Sequence, residues 1–344
     1  MSITDYGFDY EMSADKNAGV PARVTAVHKG RFCVVSDYGE GYAQLKGKEY
    51  YYSDAVFPTV GDFVLIDFNS DGDSRIIKTL KRKTYFSRRD PDKGKGEQAV
   101  AANFDYVFIM QSLNHNFNLK RLERYLTCAR QSGAEPVIVL TKADLTNDPM
   151  PYVLEAGSVA KDVKICVISA KTGSGTQELA PYLQKGKTLV FLGSSGVGKS
   201  SLVNALAGEE IMDVNGIREA DSKGRHTTTH RELIMLKNGA MIIDTPGMRE
   251  LGVWEVDDGL ADAFSDVDEL AARCRFRDCK HKNEPGCAVR EAIQNGELSL
   301  SRFESYLKLK TEAKQSGSAS ELRRKKEQKF KNIAVSKRRN RKDV

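Results

Sequence analysis

A glycine-rich segment, GSSGVGKSS at residues 193–201, carries the strongest chemical signal in the 344-residue sequence. It fits the spacing G-x-x-x-x-G-K-S and lies between the apolar run TLVFL and the helix-forming run SLVNALA. Its glycines let the backbone wrap around an anion, so that consecutive N–H groups point at phosphate oxygens. We expect Lys199 to reach the β- and γ-phosphates of a nucleotide and the Ser200 hydroxyl to ligate Mg²⁺. The alternative is a chance glycine-rich turn.

A second segment, TKADL at residues 141–145, follows the apolar run PVIVL and is suited to reading a purine base. The Asp144 carboxylate would accept hydrogen bonds from N1–H and N2–H₂ of guanine, two donors that adenine lacks on that edge. Lys142 can lay its alkyl stem along the base, and SAK at 169–171 follows the next apolar run, where the Ala170 N–H could meet the guanine O6. An ATPase is the alternative that this motif disfavours. The predicted base site comprises Thr141, Lys142, Ala143, Asp144, Ser169, Ala170 and Lys171.

Two further segments supply candidate ligands for Mg²⁺ and for a terminal phosphate. Asp244 of DTPG ends the apolar run GAMIID, where a carboxylate can hold Mg²⁺ through water, and the Gly247 N–H can sense a γ-phosphate. The segment GRHTTTH at 224–230 offers three adjacent threonines as a switch ligand for Mg²⁺, of which we favour Thr228. The alternatives are an ordinary Asp-Pro-Gly turn and a solvated polar loop.

The residue that would orient an attacking water is not obvious from the sequence. Ras-type GTPases carry a Gln directly after the DxxG glycine, whereas this chain has Met248 there, which cannot orient water. Unassisted hydrolysis is therefore expected to be slow. His226 is the nearest polar candidate in sequence, and the alternative is a switch-loop His with no catalytic part.

These segments occur in the order base reader, base support, phosphate loop, switch threonines and DTPG, which is a cyclic rotation of the usual GTPase order. Ligands of an open α/β sheet bind at loops beyond the carboxyl ends of the strands, and those loops can stay in place while the connections change. We therefore predict that segments near residues 141 and 198 converge on one nucleotide in a circularly permuted domain.

A compact cysteine and histidine set lies near the end of the chain. Cys274, Cys279, His281 and Cys287 fall within the segment CRFRDCKHKNEPGC. Four ligands of this type suit tetrahedral Zn²⁺ with no open position, so we predict one structural zinc. The alternative is a set of unrelated free thiols.

The patterns around these motifs predict a multidomain α/β protein. Five short strands between residues 20 and 85 suit an OB-type β-barrel, with an SH3-type barrel as the alternative. Apolar runs alternate with helical stretches from residue 103, which indicates a parallel sheet with helices on both faces. The predicted regions are an extension at 1–19, the barrel at 20–85, a linker at 86–102, a permuted P-loop GTPase domain at 103–256, a helical zinc-binding domain at 257–315 and a basic tail at 316–344.

Charge is concentrated in the tail. Residues 321–344 contain eleven Lys or Arg against three Asp or Glu, which gives this segment a net charge of +8. The whole chain has a net charge of +6, so the other 320 residues have a net charge of −2. A basic tail favours RNA or another polyanion as a partner, and a solvated, disordered tail is the alternative. No apolar run of about 18 residues and no secretory signal occur, so a cytoplasmic monomer without a membrane is expected.

Taken together, TKAD, SAK, GSSGVGKSSL, GRHTTTH, DTPG and CRFRDCKHKNEPGC, in this order after a barrel, resemble the bacterial ribosome small-subunit-dependent GTPase A (RsgA) family. The resemblance covers nearly all of residues 20–310. It implies GTP hydrolysis stimulated by the small ribosomal subunit, a role in late maturation of that subunit, rRNA contact, Mg²⁺ with GTP, one structural Zn²⁺ and a cytoplasmic location. A nucleotide-gated RNA-binding protein without significant turnover is the alternative.

Carried over to this chain, the resemblance assigns roles to individual residues. The hydrophobic residue that replaces the catalytic Gln matches Met248, and the switch-loop His matches His226. Thr141 stands where Asn is common in GTPases. The resemblance implies that Thr141, Lys142, Ala143 and Asp144 bind the base, that Gly193, Ser194, Ser195, Gly196, Val197, Gly198, Lys199, Ser200 and Ser201 bind the phosphates, and that Cys274, Cys279, His281 and Cys287 bind zinc.

Overall fold

The computed structural model describes residues 2–12, 19–28, 30–45, 56–89, 97–212, 232–244, 264–276, 278–282, 284–307 and 310. Contacts divide the chain into two compact units, one of Met1–Arg88 with Glu97–Leu251 and one of Arg89–Gly96 with Gly252–Val344. The barrel and nucleotide-binding segments belong to the first unit, and the cysteine cluster belongs to the second. Among the helices of the described residues, none is long and apolar enough to cross a membrane.

Five strands near the start of the chain form a closed barrel. They are β1 (Val20–His28), β2 (Arg31–Ser36), β3 (Gly39–Leu45), β4 (Phe63–Asp67) and β5 (Ser74–Thr79). Their order is β1-β2-β3-β5-β4, and β4 returns to pair with β1. Strands β3 and β5 run parallel, and the other neighbouring pairs are antiparallel. This connectivity confirms the OB-type barrel and differs from the antiparallel meander of an SH3-type barrel.

The side chains that fill the barrel interior alternate along its strands with side chains on the outside. Successive side chains of a strand point to opposite faces, so apolar residues two positions apart share the inside. The interior cluster consists of Ala22, Val24, Phe32, Val34, Ala43, Val64, Ile66 and Ile76.

The first residues of the chain cover one side of this barrel through a buried arginine. Arg23 is 1% exposed, and its guanidinium donates to the carbonyl oxygens of Tyr6, Gly61 and Asn103 at 2.5, 3.3 and 2.8 Å. Burial lowers the pKa of Arg23 to about 10. Because a buried charge without partners is costly, the guanidinium needs these acceptors, and the Tyr6 carbonyl is the one by which segment 2–12 is held against the barrel.

Within the described residues, eight further strands follow the barrel. They are β6 (Tyr85–Arg89), β7 (Glu97–Ala102), β8 (Tyr106–Ser112), β9 (Glu135–Thr141), β10 (Lys164–Val167), β11 (Thr188–Gly193), β12 (Glu232–Met235) and β13 (Met241–Asp244). Strands β6 and β7 form a separate two-stranded sheet. The other six have the order β10-β9-β8-β11-β13-β12, and β12 joins them to β1 of the barrel.

The predicted parallel sheet is present, with one antiparallel edge. Strands β10, β9, β8, β11 and β13 are parallel, and β12 runs antiparallel to β13. The motifs above do not indicate β12, whose four residues are too short for a period to show. The chain moves outward from β8 to β10 and then returns to β11 beside β8. The strand order therefore reverses between β8 and β11, which is where such sheets bind ligands.

Helices cover both faces of this sheet. They are α1 (Leu119–Gln131), α2 (Met150–Val159) and α3 (Lys199–Ala207). Alternate residues of β8, β9 and β11, such as Phe108 and Val139, share one apolar cluster with Leu202 and Val203 of α3. The intervening residues, such as Ile109, are also fully buried, and α1 contacts β8 and β9. Buried on both faces, these strands are apolar throughout.

The second unit is helical where it is described. It contains α4 (Ser265–Ala272), α5 (Ala288–Gln294) and a helical segment at 300–307. Phe264, Val267 and Leu270 lie three residues apart, at the spacing of one helix face, and are buried. The Arg302 guanidinium binds both oxygens of Asp266, at 2.7 and 2.8 Å, and so fixes segment 300–307 to α4.

Candidate functional site

The predicted phosphate-binding loop joins the end of β11 to the start of α3, the context that its sequence requires. Gly198 lies directly before α3 with a φ of +101°, where a side chain would be strained. Gly193 has no room for a side chain, because a Cβ there would lie 2.9 Å from Val197 Cγ1 and 3.3 Å from Met110 O. Since the first N–H groups of a helix have no partner within it, the start of α3 offers donors to an anion.

The segment after β9 contacts this loop directly. Thr141 is 3% exposed, and its hydroxyl donates a 2.6 Å hydrogen bond to the carbonyl oxygen of Val197. Two segments that lie 56 residues apart in sequence are therefore in contact, as a permuted domain requires. The Thr141 side chain, at the position where Asn is common, makes this bridge.

Asp144 lies beside the end of β10. Lys142 has a left-handed backbone with a φ of +60°, and the Ala143 N–H donates to the Ile168 carbonyl at 3.1 Å. The Ser169 hydroxyl donates to Asp144 Oδ1 at 2.6 Å. This hydrogen bond is the main cause that holds the pKa of the Asp144 carboxyl below its ordinary value. The carboxylate is therefore ionised and available as an acceptor at neutral pH.

The predicted phosphate-binding and Mg²⁺-binding side chains meet at one point. Lys199 Nζ lies 2.5 Å from Asp244 Oδ1, and Asp244 ends β13, the neighbour of β11. Their side chains are 32% and 13% exposed. A cation and a carboxylate thus lie together beside the glycine-rich loop.

The remaining predicted nucleotide-site residues lie in the same loops and differ in exposure. Ser195 and Gly196 are exposed in the loop, whereas Ser194, Ser200 and Ser201 are half-buried. Ala170 is half-buried and Lys171 exposed in the turn after Ser169. The structure thus brings the base-reading segments, the phosphate-binding loop and Asp244 to one edge. His226, Thr228, Gly247 and Met248 lie outside the described residues.

The motifs above do not include the segment at 113–118 after β8, which also contacts the phosphate-binding loop. Asn116 Nδ2 donates a 2.9 Å hydrogen bond to Ser194 Oγ. The signal that points to this segment is positional: its polar run LNHNFN follows the buried strand β8, which lies beside β11. A polar loop at the point where the strand order reverses belongs to the ligand edge.

The four predicted zinc ligands form a cluster whose ligand atoms all lie within 4.8 Å of one another. Cys274 and Cys287 have their sulfurs 3.9 Å apart, and His281 Nδ1 lies 3.6 and 3.5 Å from them. A tetrahedron with ordinary Zn–S and Zn–N bonds has S···S edges of about 3.8 Å and S···N edges of about 3.6 Å. The cluster, which includes Cys279, is therefore compatible with zinc, and the sulfurs are too far apart for a disulfide.

Backbone donors favour thiolate at one cysteine of this cluster. Burial would raise the pKa of the Cys274 thiol, but N–H groups of Val289 and Ala288 donate to it, and the pKa lies below its ordinary value. Burial and the adjacent sulfurs of Cys287 and Cys274 raise the pKa of Cys279 to about 11. Sulfurs this close repel one another as thiolates, so a cation among them is needed for all of them to ionise.

A family model and individual relatives both match this chain, and both indicate the same family. The model of the RsgA GTPase family matches residues 79–254. Small ribosomal subunit biogenesis GTPase RsgA 1 of Listeria innocua is 49% identical over 315 residues, which are 91% of this chain and 89% of that protein. Small ribosomal subunit biogenesis GTPase RsgA of Methanosarcina acetivorans is 43% identical over 334 residues, 94% of this chain and 88% of that protein.

Two solved structures share the architecture. YjeQ from Thermotoga maritima superposes with a TM-score of 0.62 at 29% identity, covering 84% of this chain and 96% of that one. YloQ, described as a circularly permuted GTPase, superposes with a TM-score of 0.61 at 25% identity, covering 88% and 98%. The chain therefore belongs to the RsgA GTPase family of circularly permuted GTP hydrolases.

Proposed function

We propose that this GTPase binds GTP at the carboxyl edge of the sheet and acts in late maturation of the small ribosomal subunit, which stimulates its turnover. The hydrogen bond from Thr141 to Val197 is the observation that carries the nucleotide site, because it joins the base-reading and phosphate-binding segments. The relatives named for small ribosomal subunit biogenesis support the biological role.

In the proposed base site, Asp144 accepts the N1–H and N2–H₂ hydrogens of guanine, and Ser169 holds its carboxylate through the 2.6 Å hydrogen bond. Lys142 packs its stem along the base, and the Ala170 N–H meets O6. Thr141 would support the base site without contacting the base, since its side chain is almost fully buried and hydrogen-bonded to the phosphate-binding loop. Ala143 and Lys171 complete the two segments.

In the proposed phosphate site, the backbone from Gly193 to Ser201 surrounds the phosphates and Lys199 neutralises the β- and γ-phosphates. Ser200, Thr228 and Asp244 are the candidate Mg²⁺ ligands, and the pairing of Asp244 with Lys199 supports a cation-binding carboxylate here. Bound Mg²⁺ would neutralise the charge that develops on the phosphates. Gly247 would sense the γ-phosphate through its N–H.

Hydrolysis requires a group that orients water, and we propose His226 because Met248 replaces the usual Gln. His226→Ala should keep GTP binding and lose the turnover that the small subunit stimulates. Full stimulated activity in that variant would exclude His226.

The cluster of Cys274, Cys279, His281 and Cys287 holds one structural Zn²⁺ in this proposal, because its interatomic distances match a closed tetrahedral site. The zinc would fix the turn between α4 and α5. Exposed cations beside it, at Arg273, Arg275, Lys280 and Lys282, favour contact with rRNA.

The proposed partners are GTP, GDP, and the small ribosomal subunit with its rRNA, for a monomeric cytoplasmic protein that does not bind membranes. The basic segment 321–344 supports an RNA partner through its charge of +8. Binding to the subunit should therefore weaken steeply as salt is raised.

One experiment tests the proposed function. GTP hydrolysis is measured for the protein alone and then with small subunits, large subunits or free rRNA. We expect slow turnover alone and strong stimulation by small subunits only. Nucleotide-dependent binding to the small subunit without stimulated turnover would support a nucleotide-gated RNA-binding protein instead, an outcome that Met248 makes worth testing.

A further inference from the structure

The segment after β8 holds the phosphate-binding loop through a chain of three side chains. Arg121, in the first turn of α1, donates through Nη2 to the carbonyl oxygen of Asn116 and to its side-chain Oδ1, the latter at 3.1 Å. The same nitrogen lies 3.3 Å from Gln111 Oε1. Asn116 Nδ2 in turn donates to Ser194 Oγ at 2.9 Å. The chain thus begins on a guanidinium and ends on a hydroxyl of the phosphate-binding loop.

The direction of each hydrogen bond is fixed by chemistry. A guanidinium has donors and no acceptor, so the Asn116 atom that faces Arg121 must be its oxygen. The Asn116 amide nitrogen must then face Ser194, where the hydroxyl oxygen accepts. The Ser194 hydroxyl still has its own proton to donate, and no described residue accepts it. The hydroxyl can therefore donate toward whatever anion the loop surrounds.

We propose that Arg121, Asn116 and Ser194 form a polarised hydrogen-bond relay that presents the Ser194 hydroxyl as a donor to a phosphate oxygen of the nucleotide. This inference rests on the proposed nucleotide site. Ser194 contacts the phosphate, whereas Asn116 and Arg121 are positioning residues. Hydrogen bonds in one direction strengthen each other, and the positive charge at the head of the relay favours donation to an anion at its end.

The surroundings support a rigid relay. Gln111 is fully buried, and its backbone carbonyl lies 3.3 Å from the hydroxyl of Thr141, which bridges to Val197. The end of β8 therefore supports both segments of the nucleotide site. The Arg121 backbone is also fixed, because its N–H donates to the Asn118 side chain at 2.9 Å.

Ser194→Ala and Asn116→Ala test the relay together with the double variant. A hydrogen bond to a charged acceptor changes an equilibrium constant by roughly 10-fold or more. Ser194→Ala should bind a non-hydrolysable GTP analogue about 10-fold more weakly. Asn116→Ala should lose less, because the Ser194 hydroxyl remains but is no longer oriented, and the double variant should lose no more than Ser194→Ala, because the relay acts through that hydroxyl. Comparison with GDP identifies the phosphate: equal losses indicate an inner phosphate, and a loss for the analogue alone indicates the terminal one.

Asn116→Asp separates the relay from simple packing. Aspartate keeps the shape and would bind Arg121 more strongly, so a purely structural role would be retained. Its carboxylate has no proton and would instead accept the Ser194 proton, which turns the hydroxyl away from the phosphate. We expect Asn116→Asp to bind the analogue more weakly than Asn116→Ala while its melting temperature stays at or above that of Asn116→Ala.

His115→Ala is the matched control in the same segment. His115 is exposed and precedes Asn116 without joining the relay, so this variant should leave nucleotide affinity and melting temperature unchanged. Normal affinity in Ser194→Ala, additive losses in the double variant, or Asn116→Asp binding like wild type would overturn the relay. If wild-type protein failed to bind the analogue at all, the proposed function itself would fail.

Discussion

The nucleotide site and the cysteine cluster differ in how far apart their residues lie in sequence. The proposed nucleotide site combines the ends of β8, β9, β10, β11 and β13, from Ser112 to Asp244. The cluster takes its four side chains from residues 274–287 alone. A site assembled from distant segments depends on the fold that carries it, whereas a locally assembled metal site can itself stabilise the chain around it.

The two sites also differ in how deeply their residues are buried. The strands behind the nucleotide site are fully buried at residues such as Val107, Phe108 and Ile109, so this edge is supported without a ligand. In the cluster, Cys274, Cys279 and His281 are only half-buried. The comparison predicts that metal removal changes the second unit and that substitutions at the sheet edge change nucleotide binding.

The largest expected effect is that of metal removal. Zinc binding in small sites contributes about 10–16 kcal/mol, which is comparable to the whole stability of a domain. Chelation of the full-length protein, or Cys287→Ser, should make the second unit sensitive to protease while GTP affinity changes less than about 3-fold. Limited proteolysis and fluorescent-nucleotide binding measure the two quantities. An unchanged digestion pattern in metal-free protein would contradict the structural role.

Lys199→Ala should give the next largest effect. It removes the proposed phosphate-binding cation and leaves the Asp244 carboxylate without this partner. With GTP bound, Lys199 and the phosphates would form a hydrogen-bonded charge pair shielded from water, and loss of one partner of such a pair costs about 2–5 kcal/mol, so GTP affinity should fall by about 100-fold or more. Zinc content, measured by metal analysis, should not change. Near-normal affinity would place the phosphates elsewhere.

Thr141→Val should have a smaller effect. Valine keeps the shape, but it removes the donor and leaves the Val197 carbonyl without this buried hydrogen bond. Such a loss costs about 1–3 kcal/mol, so we expect roughly 10-fold weaker GTP binding. Thr141→Ser retains the hydroxyl and should recover most of it. Equal behaviour of the two variants in titration would show that the bridge has no part in binding.

The smallest effect concerns pH. The pKa of Asp144 is lowered, mainly by Ser169, so its carboxylate stays ionised above the ordinary value of 3.8 and somewhat below it. Discrimination between GTP and ATP should therefore change less than about 2-fold between pH 8 and 5. Competition binding across this range measures it. A loss of discrimination with a midpoint near pH 6 would point to a different group.

Much of the fold and site could be predicted from sequence because the signals are local. Apolar runs of four or five residues identified β8, β9 and β11, and the glycine spacing identified the loop before α3. The barrel type could not be decided, because it depends on the parallel pairing of β3 with β5, which joins residues about 30 positions apart.

Contacts between segments were also beyond the sequence pattern. Asn116 and Arg121 belong to no phosphate-binding motif, and only the adjacency of β8 and β11 brings them to Ser194. Thr141 looked like an imperfect match to Asn, yet its hydroxyl reaches Val197. Side chains that support a site are selected by their neighbours in space, so their spacing along the chain carries little information.

The central claim is that two rearranged segments bind the two ends of a single guanine nucleotide. Asp144→Asn tests it most directly, because an amide can donate to the extra carbonyl of xanthine but no longer accepts both guanine hydrogens. In competition binding, the variant should shift its preference from GTP toward XTP while keeping the phosphate interactions. A variant that still selects GTP as strongly as the wild-type protein would contradict the account.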